Sequence, residues 1–174
     1  MIRNVHQREF AVDPALLADL LDHVAEPGNK LWPSPTWPPL RLDRPLAAGA
    51  IGGHGPIRYA VQSYRPGAQV VFRFDPSMWL VGTHSLEVLP GSGPGRAVLR
   101  HEITGQLIGR GRLIWPLVIR WLHDPLVEDL LDRAAMAVGR PPARPARWSW
   151  WVRRLRARKP RQRARTRPLA PTGR

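Results

Sequence analysis

The chain has 174 residues, of which 43% are hydrophobic, enough for one folded domain with a sizeable core. Residues 1–139 carry 14 basic and 13 acidic residues, whereas residues 140–174 carry 13 basic residues and no acidic one. The absence of cysteine excludes disulfides, thiolate catalysis and cysteine-ligated zinc or iron–sulfur sites. Because the first part is nearly neutral, its composition argues against a core that binds nucleic acid.

The sequence predicts neither a leader peptide nor a membrane span. The first residues, MIRNVHQREFAVD, lack an apolar segment. The longest apolar stretch, Leu113–Leu122, is short and is interrupted by Arg120. We therefore expect a cytoplasmic protein.

The first elements predicted are a strand and a helix. Residues 3–12 have the character of a strand. A helix over Pro14–His23 follows, because Asp13 is a suitable N-cap and Pro14 fits the first helical position.

The next segment is rich in proline and glycine. Residues 32–45 predict an extended loop with at most a short strand at Leu40–Asp43, and the glycines of residues 49–55 predict bends between strands. Trp32 and Trp37 in this loop are expected either to cover a cavity mouth or to seal the edge of the core.

A meander of antiparallel strands is predicted next. Alternating residues indicate two strands around the turn at Pro66-Gly67 and two more around the loop at residues 90–95. The four strands are Ile57–Arg65, Gln69–Phe74, Leu80–Leu89 and Arg96–Leu107.

The last predicted element of the domain is a long helix. Apolar residues recur at helical spacing from Arg110 to Val138, and Gly139 is a suitable stop. Pro125 is expected to kink this helix. Its acidic residues are expected to form a solvated face: Asp124, Glu128, Asp129 and Asp132.

This order resembles the helix-grip fold of the SRPBCC superfamily, the START and birch-pollen-allergen-like proteins with their polyketide cyclase/dehydrase-like members. The resemblance covers residues 3–138 and rests on REFAVDPALLADLLDH, GPIRYAVQSYRPGAQVVFRF, GTHSLEVLPGSGPGRAVLRHEITG and LIWPLVIRWLHDPLVEDLLDRA. It implies an α+β domain, residues 1–139, whose curved antiparallel sheet of about six or seven strands wraps round a long C-terminal helix. It also implies an apolar ligand between sheet and helix, but no particular reaction.

Strand alternation assigns the side chains that face this cavity. Across the Pro66-Gly67 turn, Val61 is expected opposite Phe72 and Ser63 opposite Val70, with Tyr59 and Tyr64 on opposite faces. The expected ligand-binding set combines the inward faces of the strands and of the terminal helix: His6, Arg8, Tyr59, Val61, Phe72, Phe74, His84, Leu86, Leu99, His101, Ile103, Trp115, Ile119 and Leu122.

The histidines in this set carry the chemical hypotheses. Symmetric closure of the loop at residues 90–95 places His84 opposite His101 or one diagonal from it. They would orient a polar group of a ligand, or act as acid and base in a cyclase, dehydratase or isomerase, or simply be hydrogen-bonded residues of the inner sheet. A metal held by three imidazoles is the remaining interpretation. We expect neither a metal nor a cofactor.

The basic segment after Gly139 is predicted to be a flexible tail. Residues 140–147 have the composition of a semi-rigid linker, and residues 147–158 can form an amphipathic helix. The tail would bind the inner face of an anionic membrane. The alternatives are that it binds nucleic acid or remains a disordered extension. The residues expected to make these contacts are Trp148, Trp151, Arg153, Arg154, Arg156 and Arg158.

The expected function is the binding of a small hydrophobic molecule, a lipid or a polyketide-like compound, without catalysis. The alternatives are an enzyme that uses His84 and His101, or a protein tethered to membrane or nucleic acid by its tail.

Overall fold

The structure is a computed structural model and describes residues 1–157. Seven strands form one antiparallel sheet in the order β1-β7-β6-β5-β4-β3-β2. Their bounds are β1 Ile2–Phe10, β2 Leu40–Leu42, β3 Ile51–His54, β4 Ile57–Arg65, β5 Gln69–Phe74, β6 Leu80–Pro90 and β7 Ala97–Leu107. The predicted strands are confirmed with small shifts at their ends, and the α+β helix-grip architecture is confirmed with them.

Strand β3 was not predicted, because its glycines indicated bends. Two neighbouring strands approach its backbone too closely for side chains. A Cβ atom on Gly52 would lie 1.9 Å from the Arg41 carbonyl oxygen, and one on Gly53 would lie 1.9 Å from that of Ile57. Glycine therefore permits β2, β3 and β4 to pair here.

The hairpin of β4 and β5 contains a bulge that changes the predicted faces. Val61 pairs with Phe72 as expected, but Ser63 pairs with Val71 rather than Val70, because the register shifts between Val61 and Ser63. Tyr64 consequently pairs with Val70 and packs against the core. The expectation that Tyr64 and Tyr59 face opposite sides is therefore wrong.

Helix α1, Pro14–Asp22, begins and ends at defined contacts. The Asp13 side chain accepts a hydrogen bond from the Ala15 backbone N–H at 2.8 Å, as expected of an N-cap. At the other end, Asp22 accepts the Gly67 N–H at 2.7 and 2.9 Å. Gly67 has φ +70°, the left-handed conformation that the predicted turn requires. The contact between Asp22 and Gly67 fixes the helix to the β4–β5 hairpin.

The C-terminal helix of the domain, residues 111–137, is not uniform. It consists of α2 (Gly111–Ile114), a π-helical turn (Trp115–Ile119) and α3 (Arg120–Ala137). The wide turn contains Pro116, and α3 includes Pro125 within its helical residues. We call residues 111–137 the long helix.

The main core lies between the sheet, α1, α3 and the loop at residues 31–37. A smaller apolar group joins Leu80, Ile103 and Trp115. After the long helix, residues 138–149 lead to α4, Trp150–Ala157. Within residues 1–157, no helix is both long enough and apolar enough to cross a bilayer.

Candidate functional site

A cavity of about 530 Å³ lies between the sheet and the long helix. This volume is in the range of about 300–1,000 Å³ that is typical of small-molecule sites. Nine of the predicted site residues line it, from the strands and the long helix: Phe72, Phe74, His84, Leu86, His101, Ile103, Trp115, Ile119 and Leu122.

Five of the predicted site residues do not line the cavity. Tyr59, Val61 and Leu99 are buried in the core behind its wall. His6 and Arg8 lie on the concave side of β1, as the alternation predicted, but they contact the acidic side chains of α3. Ion pairing with the helix therefore keeps both out of the cavity.

Several lining residues were not predicted. Leu80 and Leu107 have the same strand parity as the predicted residues and could have been found by extending the alternation. Ile114 and Val118 precede Leu122 at helical spacing. Trp79 lies in a loop, where no periodic pattern exists to identify it.

The proline-rich loop closes one side of the cavity. Trp32 and Trp37 are buried and line it. The Trp32 indole donates to the Pro38 carbonyl at 2.8 Å, and the Trp37 indole donates to Asp129 at 2.7 Å. Both tryptophans are therefore fixed parts of the wall and of the core.

Three histidines form a row along the cavity wall. The ring centroids of His84 and His101 are 5.7 Å apart, and those of His101 and His123 are 4.9 Å apart. The buried atoms His84 Nε2, His101 Nδ1 and both ring nitrogens of His123 have no hydrogen-bond partner. His123 Nδ1 lies 3.5 Å from Asp124 Oδ1, which is too far for a good hydrogen bond. Buried polar atoms normally have partners, so this row can take up the polar group of a ligand.

The row is uncharged at neutral pH. Burial lowers the pKa of His84 and His101, and repulsion from neighbouring imidazoles adds to this effect. Burial also lowers the pKa of His123, although Asp124 opposes this effect. Neutral imidazoles can each donate one hydrogen bond and accept one.

A fourth histidine extends the polar strip. His54 lines the cavity, and its Nδ1 lies 3.0 Å from the Tyr59 hydroxyl oxygen. Burial lowers the pKa of His54 to about 3 and raises that of Tyr59. The Tyr59 ring packs against His84, with centroids 4.8 Å apart. Tyr59 therefore acts behind the wall by positioning two imidazoles.

Three of the four acidic residues of α3 form ion pairs with β1, and Asp129 accepts indole N–H groups, so the expectation of a solvated face is wrong. Arg8 donates to Asp132 at 2.6 Å and to Glu128 at 3.2 Å. His6 contacts Glu128 at 2.7 Å and Asp124 at 3.2 Å. The pairing places these carboxylates against the edge of the sheet, where they fix the long helix to β1.

One group within residues 1–157 has the spacing of metal ligands. His6, His123 and Asp124 each offer an atom, and these atoms lie within 4.8 Å of one another. Hydrogen bonds to Asp124, the larger effect, and to Glu128 raise the pKa of His6 to about 9. His6 is therefore protonated at neutral pH and cannot ligate a metal without losing that proton, so the geometry favours an ion pair.

The segment expected to be a flexible linker and tail instead packs on the domain as far as residue 157. Asp132 accepts the Ala146 N–H at 2.7 Å, and Asp129 accepts the Trp148 indole N–H at 3.0 Å. Val152 is buried. Apolar burial and these hydrogen bonds explain the difference, because α3 supplies acceptors that the segment's own sequence does not reveal.

Two residues predicted to contact membrane or nucleic acid, Trp148 and Arg156, instead make contacts within the domain. The Arg156 guanidinium lies 4.1 Å from the centre of the Trp37 ring and 4.2 Å from that of Trp148. Arg153 and Arg154 are exposed, and Trp151 is partly buried. Arg158 lies outside the described residues.

No family model matches the sequence, and no curated protein matches it. Several solved structures are similar in fold. CalU16 from Micromonospora echinospora has a TM-score of 0.55 and 12% identity, covering 88% of this chain and 80% of CalU16.

Two further structures are aligned with this chain over nearly their own whole length. The Aha1 dimer from Colwellia psychrerythraea gives a TM-score of 0.55 at 12% identity, with 82% and 100% coverage. A point mutant of norcoclaurine synthase from Thalictrum flavum, solved with a transition-state analogue, gives 0.59 at 13% identity, with 79% and 94% coverage. With its seven-stranded curved sheet and long helix, the chain therefore has the same helix-grip fold as these structures.

Proposed function

We propose that the cavity binds one small hydrophobic molecule, a lipid or a polyketide-like compound, without transforming it. The observation that carries the proposal is the pairing of an apolar wall with a row of unpartnered imidazole nitrogens on His84, His101 and His123. The apolar wall favours hydrocarbon or aromatic surface. The imidazoles favour a hydroxyl, carbonyl or acid group at one edge of the ligand.

The fold supports the same proposal. One structure of similar fold, norcoclaurine synthase, was solved with a transition-state analogue. The resemblance to the SRPBCC superfamily implies a ligand between sheet and helix. The cavity of this chain occupies that space.

A second candidate function is enzymatic, because neutral imidazoles that line the cavity can accept a proton. Burial lowers the pKa of His84 and His101, which keeps both in the form that a general base requires. A cyclase, dehydratase or isomerase reaction of a polyketide-like substrate would use them as acid and base.

Native mass spectrometry of the full-length protein, purified without detergent, tests the binding proposal. We expect a reproducible additional mass of a few hundred daltons. The variant Leu122→Trp, which places an indole in the cavity, should abolish this mass, whereas Leu16→Ser on the exposed side of α1 should retain it.

A titration with 8-anilinonaphthalene-1-sulfonate provides a second measurement. Wild type and Leu16→Ser should enhance the probe's fluorescence equally, and Leu122→Trp should not. A clean apo mass together with equal probe binding by all three proteins would contradict the proposal.

A further inference from the structure

A row of large apolar side chains lies exposed on the outer side of the long helix. Leu113 is 69% exposed, Leu117 is 61% exposed and Trp121 is 47% exposed. Their spacing of four residues places them on one side of the helix. The other side of the same segment, with Ile114 and Trp115, lines the cavity. The core therefore does not account for the outer row.

Helix α4 adds Trp150 to these exposed side chains. Its neighbour Trp151 contacts the long helix, since the Trp151 indole N–H points to the Leu117 carbonyl oxygen at 3.4 Å. The ring of Trp150 is 5.6 Å from that of Trp151 and is 73% exposed. Packing of α4 on the domain thus brings Trp151 against Leu117, with the exposed ring of Trp150 beside it.

The surroundings of this row are basic. Residues 105–121 and 140–157 contain no acidic residue. The exposed arginines on these two segments are Arg110, Arg112, Arg120, Arg140, Arg144, Arg147, Arg153 and Arg154. Three carboxylates of α3 approach these arginines. Asp124 lies 3.3 Å from Arg120, and Asp129 and Asp132 line a groove with Arg147 and Arg153. We call Leu113, Leu117, Trp121 and Trp150 the Trp–Arg face, together with Arg110, Arg112 and Arg120 of the same helical segment and Arg154, four residues after Trp150 on α4.

We propose that the Trp–Arg face docks the protein on the surface of an anionic lipid bilayer. Exposed Leu and Trp gain free energy by entering the region between headgroups and acyl chains, and Trp favours that region. Each arginine near an anionic surface adds attraction. The proposal differs from the one made from the sequence alone, because Trp148 and Arg156 are engaged within the domain and residues of the long helix take their place.

The same features disfavour other occupants. Nucleic acid would pair with the arginines but would leave Leu113 and Leu117 exposed, since aliphatic side chains neither bind phosphate nor stack well on bases. A second copy of the chain would bring one arginine cluster against another. An anionic bilayer satisfies both the apolar and the basic parts of the face.

Sedimentation of the full-length protein with vesicles tests this proposal. The vesicles are phosphatidylcholine with 30% phosphatidylglycerol, compared with phosphatidylcholine alone, in 0.1 M NaCl. We expect binding to the anionic vesicles and much weaker binding to the neutral ones. The double variant Leu117→Ser/Trp150→Ser should bind the anionic vesicles about tenfold more weakly or worse.

The matched control is Leu16→Ser/Ile51→Ser, which removes two side chains that are 50% and 59% exposed and lie on α1 and β3, outside the face. It should bind as wild type does. All variants retain residues 158–174, so the comparison isolates the face from the rest of the basic segment. Circular dichroism confirms that each variant is folded.

Three results would overturn the proposal. Wild-type protein that fails to bind anionic vesicles excludes the bilayer as the occupant. Equal binding by the Leu117→Ser/Trp150→Ser variant shows that charge alone is responsible. Tighter binding to an oligonucleotide, or a dimer that this variant abolishes, identifies nucleic acid or a second copy as the occupant instead.

Discussion

His84 and His101 lie diagonally across the β6–β7 pair, because His84 pairs with Ile103 and His101 with Leu86. Both rings face inward, with centroids 5.7 Å apart, and each leaves a buried nitrogen without a partner. The diagonal was one of the two arrangements expected from closure of the 90–95 loop. It provides two hydrogen-bonding atoms on one apolar wall, so a single polar group of a ligand can contact both.

Replacing His84 or His101 distinguishes a binding protein from an enzyme. Phenylalanine keeps the ring volume and removes both nitrogens, so His84→Phe and His101→Phe test the polar contact alone. A binding protein should lose about 2–10-fold in affinity for 8-anilinonaphthalene-1-sulfonate, as expected for one hydrogen bond. An enzyme should lose about 10²–10⁴-fold in turnover while binding is largely kept. Unchanged affinity in both variants would remove these histidines from the site.

The buried histidines should make the fold sensitive to acid. Burial lowers the pKa of His84 and His101 in the folded state, so protons bind preferentially to the unfolded chain as the pH falls below about 6.5. Each such histidine costs up to about 1.4 kcal/mol of unfolding free energy per pH unit in this range. Urea unfolding between pH 7 and pH 5 measures the slope, which His84→Phe should reduce.

His6 has the opposite pH dependence and serves as the contrast. Its pKa is raised to about 9, first by Asp124 and then by Glu128, so its contribution is complete below about pH 6.5. It is lost as the pH rises through 9. His6→Gln should therefore flatten the stability profile above pH 7 and leave the acid slope unchanged. A wild-type stability that does not vary between pH 5 and pH 9 would contradict both assignments.

Most of the sheet could be predicted from the sequence because alternation and turn residues are local signals. The inward direction of His84 and His101 follows from them. The bulge after Val61 does not, since it depends on how two strands settle against the core, and it turned Tyr64 inward. Charge pairing across the fold is also not local, so the alternation placed Arg8 on the correct face but could not identify its acidic partners on α3.

The Arg8–Asp132 pair should be strongly coupled. The carboxylate of Asp132 is nearly buried, and its second oxygen accepts the Ala146 N–H. Arg8→Met leaves that carboxylate without its cation, which should cost about 2–3 kcal/mol in unfolding free energy.

A double-mutant cycle measures this coupling by urea unfolding. Asp132→Asn alone should also destabilise the fold, whereas Arg8→Met/Asp132→Asn should cost less than the sum of the two single changes. The matched control is Arg44→Met with Asp43→Asn, an exposed pair that should show a coupling below about 1 kcal/mol. Additive costs at Arg8 and Asp132 would show that the pair contributes nothing.

Asp129 should hold the C-terminal segment on the domain, because one of its oxygens accepts indole N–H groups from both Trp37 and Trp148. Asp129→Ala leaves two largely buried donors unpaired, at a cost of roughly 1.5–3 kcal/mol. Local release of α4 should then be about 10–100-fold more frequent. Limited trypsin digestion with mass spectrometry reports this as faster cleavage after Arg153 and Arg154. Glu26→Ala, which removes an exposed acid elsewhere, should cleave at the wild-type rate, and an equal rate in Asp129→Ala would show that apolar packing of Val152 is sufficient.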